Sequence, residues 1–123
     1  ELEKKFPFLK NFAQKLQKIT PINCLGIFGS QAKGTANSKS DIDLFVLVEG
    51  KNVKVLKHFV NQNFPELENT VDLTVISFQE FILSLKNEEF TVSKEMAKNK
   101  SIYNGGELFY QIIKEVYNEL RYK

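Results

Sequence analysis

Apolar residues recur at helical spacing near the start of the chain. Residues 2–19 carry an apolar side chain every three or four positions, which is typical of a helix with one buried face. Pro7 lies inside this stretch, so we expect the regular helix to begin near it, where a missing N–H costs nothing. Pro21 disfavours helical geometry at the residue before it and ends the element. The apolar positions are Leu2, Phe6, Leu9, Ala13 and Leu16.

A second periodic stretch, at about residues 107–121, predicts a closing helix. Its predicted core stripe is Phe109, Ile112, Ile113, Val116 and Leu120. Tyr110 and Tyr117 widen the apolar arc beyond what one sheet face needs. Two interpretations follow: a broad amphipathic helix whose tyrosines reach the surface, or a helix that also packs on a partner protein.

Between these helices, three β-rich runs predict strands at residues 22–28, 41–48 and 71–76. Strands that alternate with helices predict an α+β, α/β-like fold in which helices cover a sheet. The other segments are predicted as a loop or a single helical turn at 31–40, a short helix at 88–99 and an extended piece at 101–103.

Two helix starts carry capping signals. Asn52 is the candidate cap of a helix after the second strand. Ser77 and Glu80 form the Ser-x-x-Glu capping-box pattern after the third strand.

Composition and charge narrow the class of protein. The chain has 123 residues, 17 Lys or Arg against 15 Asp or Glu, and a formal net charge of +2. This length suits one domain, residues 1–123, around one core. The chain has no Lys or Arg cluster of the kind that bulk nucleic-acid binding needs, and no apolar run approaches the ~18 residues of a membrane span. We therefore expect a soluble, cytoplasmic protein.

The single cysteine and the single histidine suggest no chemistry of their own. Cys24 cannot build a disulfide framework, and it is predicted to be a small core residue of the first strand. His58 is predicted to be a surface or boundary residue of a helix.

Three aspartates fall in the predicted strands. Asp41 and Asp43 are two positions apart, so their carboxylates project from the same face, with Cα atoms roughly 6.5 Å apart. Asp72 alternates with apolar residues in the next strand, so the three meet at one end of the sheet if the strands are neighbours. Carboxylates this close repel one another without a cation, and Mg²⁺ or Mn²⁺ is the partner that oxygen ligands favour. The structural alternative is a set of solvated carboxylates at turns or strand edges. The alternate positions, expected to fill the core as a separate packing face, are Ile42, Leu44, Val46 and Val48.

Gly29 and Ser30 follow the first predicted strand directly. A glycine there lets backbone N–H groups approach a ligand, and a serine hydroxyl at a helical turn can bond a phosphate oxygen. Lys33 is either a point charge for phosphate or a solvated loop residue. Residues that bind phosphate beside a carboxylate-bound metal are typical of a site for a nucleoside triphosphate.

Gly29-Ser30, ten residues, then Asp41-Ile42-Asp43 resembles the Gly-Ser-x10-Asp-x-Asp signature of the DNA polymerase β-like nucleotidyltransferase superfamily. Asp72 resembles its third carboxylate. The stretch GIFGSQAKGTANSKSDIDLFVLV is similar to that of the minimal nucleotidyltransferases of bacteria and archaea. Lys33 departs from the family pattern, in which Arg is usual. A lysine keeps the positive charge but does not make the bidentate phosphate contact of an arginine.

The resemblance implies a nucleotidyltransferase fold, with a small mixed sheet covered by helices. It implies that Asp41, Asp43 and Asp72 bind two divalent ions, that Asp72 accepts or relays the acceptor proton, and that Gly29 and Ser30 hold the β and γ phosphates. ATP is the expected substrate, and Mg²⁺, or Mn²⁺ in its place, is the expected cofactor.

Length then separates the members of this superfamily, because 123 residues leave no room for an added domain that binds the base or the acceptor. Minimal nucleotidyltransferases work beside a helical protein of the HEPN class, often as antitoxin to its toxin. The resemblance therefore implies a metal-dependent enzyme that moves AMP from ATP to a hydroxyl, with a tyrosine of a HEPN partner as the candidate acceptor. The alternative is a catalytically silent module that neutralises or scaffolds a partner by contact. The sequence leaves open whether the chain forms a homo-oligomer.

Overall fold

The computed structural model describes residues 2–34, 41–87 and 92–121. Seven helices and four strands lie within these ranges, and two short 3-10 turns, Gly50–Asn52 and Pro65–Leu67, flank the fourth helix. In chain order the elements are α1 (Leu2–Lys5), α2 (Phe8–Ile19), β1 (Cys24–Phe28), α3 (Ser30–Lys33), β2 (Ile42–Val48), α4 (Val53–Asn63), β3 (Val71–Ser77), α5 (Phe78–Leu85), α6 (Val92–Lys98), β4 (Lys100–Asn104) and α7 (Gly106–Arg121).

The four strands form one mixed sheet in the order β3-β2-β1-β4. β1 pairs antiparallel with both β2 and β4, whereas β2 and β3 run parallel. A parallel pair needs a crossover between its strands, and α4 supplies it. The predicted α+β fold, with a mixed sheet covered by helices, is confirmed. The parts of the loop and helix predictions at residues 35–40 and 88–91 lie outside the described residues.

Helices cover both faces of the sheet. On one face, apolar residues of α1, α2 and α4 pack against the sheet, and on the other those of α5, α6 and α7 do so. The central strand β2 is buried on both sides, since Leu44 and Val46 belong to the first layer and Phe45 and Leu47 to the second. The expected division of β2 into a chemical face and a packing face is therefore wrong beyond Asp43: the face that carries this aspartate continues as core.

Two helix starts show how local signals and context compete. The Ser77 hydroxyl accepts a hydrogen bond from the Glu80 backbone N–H at 3.0 Å, so the predicted cap of α5 is confirmed. Asn52 makes no such side-chain bond to α4, and the predicted cap is wrong. Its own backbone N–H donates to the Glu49 carbonyl at 2.9 Å, because a 3-10 turn leads the chain into this helix.

The predictions for single residues are mostly confirmed. Cys24 is fully buried, and burial raises the pKa of its thiol to about 12. His58 is exposed on α4. In α7 the side chains of Phe109, Ile112 and Val116 are buried, but Leu120 is 38% exposed, so its place in the core stripe is wrong.

In the part of the chain that the structure describes, no helix is both long and apolar enough to span a bilayer.

Candidate functional site

The aspartates lie at the amino ends of two neighbouring parallel strands. In the register of β2 and β3, Asp43 is paired with Asp72. Asp41 is exposed and directly precedes β2. On the other side of β2, Asp43 is paired with Phe28, the last residue of β1. The fold therefore brings the amino ends of β2 and β3 and the carboxyl end of β1 to one edge of the sheet.

Strand alternation places Asp43 and Asp72 on the same face of the sheet. Two positions further along their strands, Phe45 and Thr74 are also paired, and Phe45 packs into the layer formed by α5, α6 and α7. The carboxylates thus lie at the rim of this helical layer, where Asp43 is half-buried and Asp72 is exposed.

The turn after β1 is shaped around Asp43. Gly29 has φ +72° and ψ −144°, a conformation that side-chain-bearing residues rarely adopt. A Cβ at this position would lie 2.5 Å from the Asp43 Oδ2. The Gly29 backbone N–H donates to the Asn99 carbonyl at 3.2 Å. Glycine is required here because it leaves room for the carboxylate, while its N–H is already bound to the chain after α6.

Ser30 and Lys33 are the first and last residues of α3, which begins directly after this turn. Ser30 is half-buried at the edge that carries Asp43. Lys33 belongs to α3 by its backbone, and its side chain lies outside the described part of the structure.

The charges around Asp43 oppose its ionisation. The pKa of this carboxyl is raised above its ordinary value of 3.8, first by burial and then by the negative charges of Asp72, Asp41 and Glu95. Each carboxylate disfavours a further negative charge beside it. The edge therefore concentrates negative charge that a cation would relieve.

Glu95 on α6 is the acidic neighbour that sequence reasoning missed. Asn99, four residues later, donates its side-chain N–H to the Glu95 carboxylate at 3.5 Å, and its carbonyl accepts the Gly29 N–H. The pairing of Phe28 with Lys100 brings this end of α6 beside the Gly29 turn. The only sequence signal for this neighbour was the extended piece predicted at residues 101–103. The sequence did not show which strand this piece pairs with.

The residues present fit a divalent cation in their chemistry. The donors are carboxylate oxygens, which Mg²⁺ and Mn²⁺ prefer, and the neighbouring negative charges that help raise the pKa of the Asp43 carboxyl are those a cation would offset. Within the described ranges, no three His, Cys, Asp or Glu side chains are positioned as they stand to hold a metal ion.

A separate cavity lies on the opposite face of the sheet. It has a volume of about 430 Å³ and is lined by Phe12 and Phe64, among others, and by Val71, Leu73 and Val75 of β3. These three alternate with Asp72 along the strand, so the cavity opens away from the carboxylates. It is not a binding place for a triphosphate held by the aspartates.

Comparison with known proteins gives a family and a fold. Residues 10–115 match the family described as polymerase beta, nucleotidyltransferase. Among solved structures, a "putative nucleotidyltransferase" from Sulfolobus solfataricus is similar, with a TM-score of 0.53, 23% identity, and coverage of 79% of this chain and 77% of that chain. A structure described as a toxin-antitoxin with AMP-PNP gives a TM-score of 0.50 and 21% identity over 91% of this chain and 88% of that one. No curated protein matches the chain significantly.

Proposed function

Because the chain belongs to the polymerase β nucleotidyltransferase family, we propose that it transfers the nucleotidyl group of a nucleoside triphosphate to a hydroxyl acceptor. The observation that carries the proposal is the pairing of Asp43 with Asp72 beside the Gly29 turn. In the proposed reaction the acceptor oxygen bonds to the α-phosphorus, the bond to the β-phosphate oxygen breaks, and pyrophosphate leaves. The hydroxyl proton passes to a carboxylate, for which Asp72 is the proposed acceptor.

Divalent cations complete this proposal. Asp41, Asp43 and Asp72 would hold two Mg²⁺ or Mn²⁺ ions, which neutralise charge on the phosphates and acidify the acceptor hydroxyl when bound. Ser30 would bond a phosphate oxygen, and Lys33 would add a positive charge. The high local negative charge around Asp43 supports the cation requirement.

We propose ATP as the donor and a protein hydroxyl as the acceptor. The similar structure described as a toxin-antitoxin with AMP-PNP supports an adenine nucleotide and an antitoxin role. Within that role, a tyrosine of a HEPN-type toxin is the proposed acceptor. Such a reaction would modify the partner and so neutralise it.

A second function rests on a different observation. Tyr110 and Tyr117 on α7 are more than half exposed, and an exposed apolar row is what a protein that acts by contact needs. In that case the chain would neutralise or scaffold a partner without transferring a nucleotide.

The test measures pyrophosphate release and transfer of label from α-labelled ATP in the presence of Mg²⁺. Asp43→Asn should lower the rate by several orders of magnitude, because the substitution removes the central charge of the site. Glu66→Gln, an exposed carboxylate in the 3-10 turn before β3, is the matched control and should leave the rate unchanged. Release of inorganic phosphate, or full activity in Asp43→Asn, would contradict the proposed chemistry.

The Asp72→Asn variant distinguishes the two functions. If transfer is the function, this variant still binds the partner but leaves it unmodified and active. If contact is the function, it neutralises the partner as fully as the parent protein does.

A further inference from the structure

The closing helix α7 carries two apolar rows. The inner row is buried against the sheet and consists of Phe109, Ile112 and Val116. The outer row follows the spacing 3, 4 and 3 that brings apolar residues onto one seam of a helix. Its members are Tyr110, Ile113, Tyr117 and Leu120.

The outer row is largely open to solvent. Tyr110 is 55% exposed, Tyr117 is 51% exposed, and Leu120 is exposed near the end of the helix. Ile113 is half-buried and joins the two rows. Single exposed apolar residues are ordinary on protein surfaces, whereas a contiguous apolar patch marks a contact surface, and helical spacing places these side chains next to one another.

The neighbouring helix α5 lies on the other flank of α7. Ile82 of α5 lines a groove with Ile112 and Val116, and Lys86 forms a 2.6 Å ion pair with Glu119. The positions of α7 that α5 contacts lie roughly opposite Tyr110 on the helix. Helix α5 therefore leaves the outer row uncovered.

Positive charge flanks this row. The Lys100 ammonium lies 5.0 Å from the centre of the Tyr110 ring. Lys114 is exposed four positions after Tyr110 and three before Tyr117, so it lies beside the middle of the row. Glu107, in the first turn of the helix, lies three positions before Tyr110 and on the same side of the helix as Lys114. The centre of the surface is thus apolar, and these border residues are two lysines and one glutamate, a net positive charge.

We propose that the outer row of α7 is a docking surface for an amphipathic helix of a partner protein, one whose apolar face is bordered by Asp or Glu. Aromatic rings provide the contact area that concentrates binding energy in interfaces, and the basic border selects an acidic partner. A second copy of this chain fits less well, because two antiparallel copies of the row would place Lys114 near its own symmetry mate. The proposal does not depend on the metal chemistry of the aspartates.

The test uses two synthetic helical peptides of about three heptads, both with Leu at the apolar positions. One carries Glu at the flanking positions and the other carries Lys. Binding to the full chain is measured by fluorescence anisotropy at low and high salt. The Glu peptide should bind at least tenfold more tightly than the Lys peptide, and salt should reduce this preference.

Three variants locate the surface. Tyr117→Ala should weaken the Glu peptide on the order of tenfold to thirtyfold. Lys114→Glu should reverse the preference between the peptides. Leu83→Ala, which removes a 68% exposed apolar side chain from α5, is the matched control and should bind the peptide as the parent protein does. Circular dichroism checks that each variant keeps its helices, and Asp43→Asn should bind the peptide unchanged even where it abolishes nucleotidyl transfer.

Several results would overturn the proposal. They are equal binding of the two peptides, no binding of either, or a loss in Leu83→Ala as large as in Tyr117→Ala. Sedimentation that shows a dimer of the parent protein, lost in Tyr117→Ala, would assign the surface to a second copy instead.

Discussion

Replacing Gly29 with alanine tests the geometry on which the candidate site depends. The substitution has two costs: a backbone conformation that favours glycine, and a Cβ 2.5 Å from the Asp43 Oδ2. Gly34 offers a matched control because it also has a positive φ, +78°, while a Cβ there would meet nothing within 4 Å in the described structure. Comparing the two variants separates backbone strain from contact with the carboxylate.

The expected costs differ several-fold. At Gly34, with ψ 16°, an alanine adopts the left-handed helical conformation at about 1–2 kcal/mol, and the stiffer unfolded chain returns about 0.4–1 kcal/mol. At Gly29 the backbone strain is about 1–3 kcal/mol, and the Asp43 carboxylate, the far end of a short side chain, turns aside at a further cost of about 0.5–1.5 kcal/mol. We therefore expect a loss of roughly 2–3 kcal/mol for Gly29→Ala and about 1 kcal/mol or less for Gly34→Ala.

Urea unfolding followed by far-ultraviolet circular dichroism measures both losses, in the parent and in an Asp43→Ala background. Removing the Asp43 carboxylate should reduce the cost of Gly29→Ala by about 0.5–1.5 kcal/mol, because the atom that the new Cβ meets is gone. The cost of Gly34→Ala should be equal in both backgrounds. If Gly29→Ala costs the same with and without the Asp43 carboxylate, the close approach of turn and carboxylate does not exist.

Three further outcomes follow from the structure. Ser77→Ala should lower the free energy of unfolding by about 1 kcal/mol through loss of the α5 cap, whereas Asn52→Ala should change it little; equal losses in a urea titration would contradict this difference. The raised pKa of Asp43 means that the folded protein keeps this proton to higher pH than the unfolded chain does. Without divalent cations, stability should therefore fall as pH rises from about 4 through the raised pKa, and the fall should shrink in Asp43→Asn and in Glu95→Gln; an unchanged pH profile in both would refute the assigned repulsion. Cys24 should resist iodoacetamide at pH 8 in the folded protein and react once the chain is unfolded in urea, and rapid labelling of the folded protein would show that the strand opens.

The sequence predicted those parts of the site that follow from strand alternation. Asp43 and Asp72 each stand in an apolar run with a period of two, and a parallel pairing of the two runs is enough to place them side by side. Their roles as metal ligands stay predictions. Glu95 could not be found in this way, because its position depends on the pairing of β1 with β4 across most of the length of the chain.

Tertiary context decided the predictions that were wrong. Phe45 and Leu47 continue the face that carries the aspartates, but the second helical layer, formed by α5, α6 and α7, covers them. Asn52 has the side chain of a cap, but the 3-10 turn before α4 sets its backbone in a helical conformation in which it makes no side-chain bond. Leu120 keeps the helical period, but it stands next to last in α7 and 38% of it is exposed.

The parallel pairing of β2 with β3 has a consequence for how the candidate site can open. β3 is an outer strand of the sheet, and within the described residues it is joined to β2 along the chain through the crossover that contains α4. Outer elements open more readily than the centre of a sheet in native-state fluctuations. Detachment of β3 and α4 would separate Asp72 from Asp43 while β1, β2 and β4 keep their pairing. The candidate site therefore lies on the boundary of a cooperative unit. Separation of Asp72 from Asp43 would reveal a partial opening that leaves most of the sheet folded.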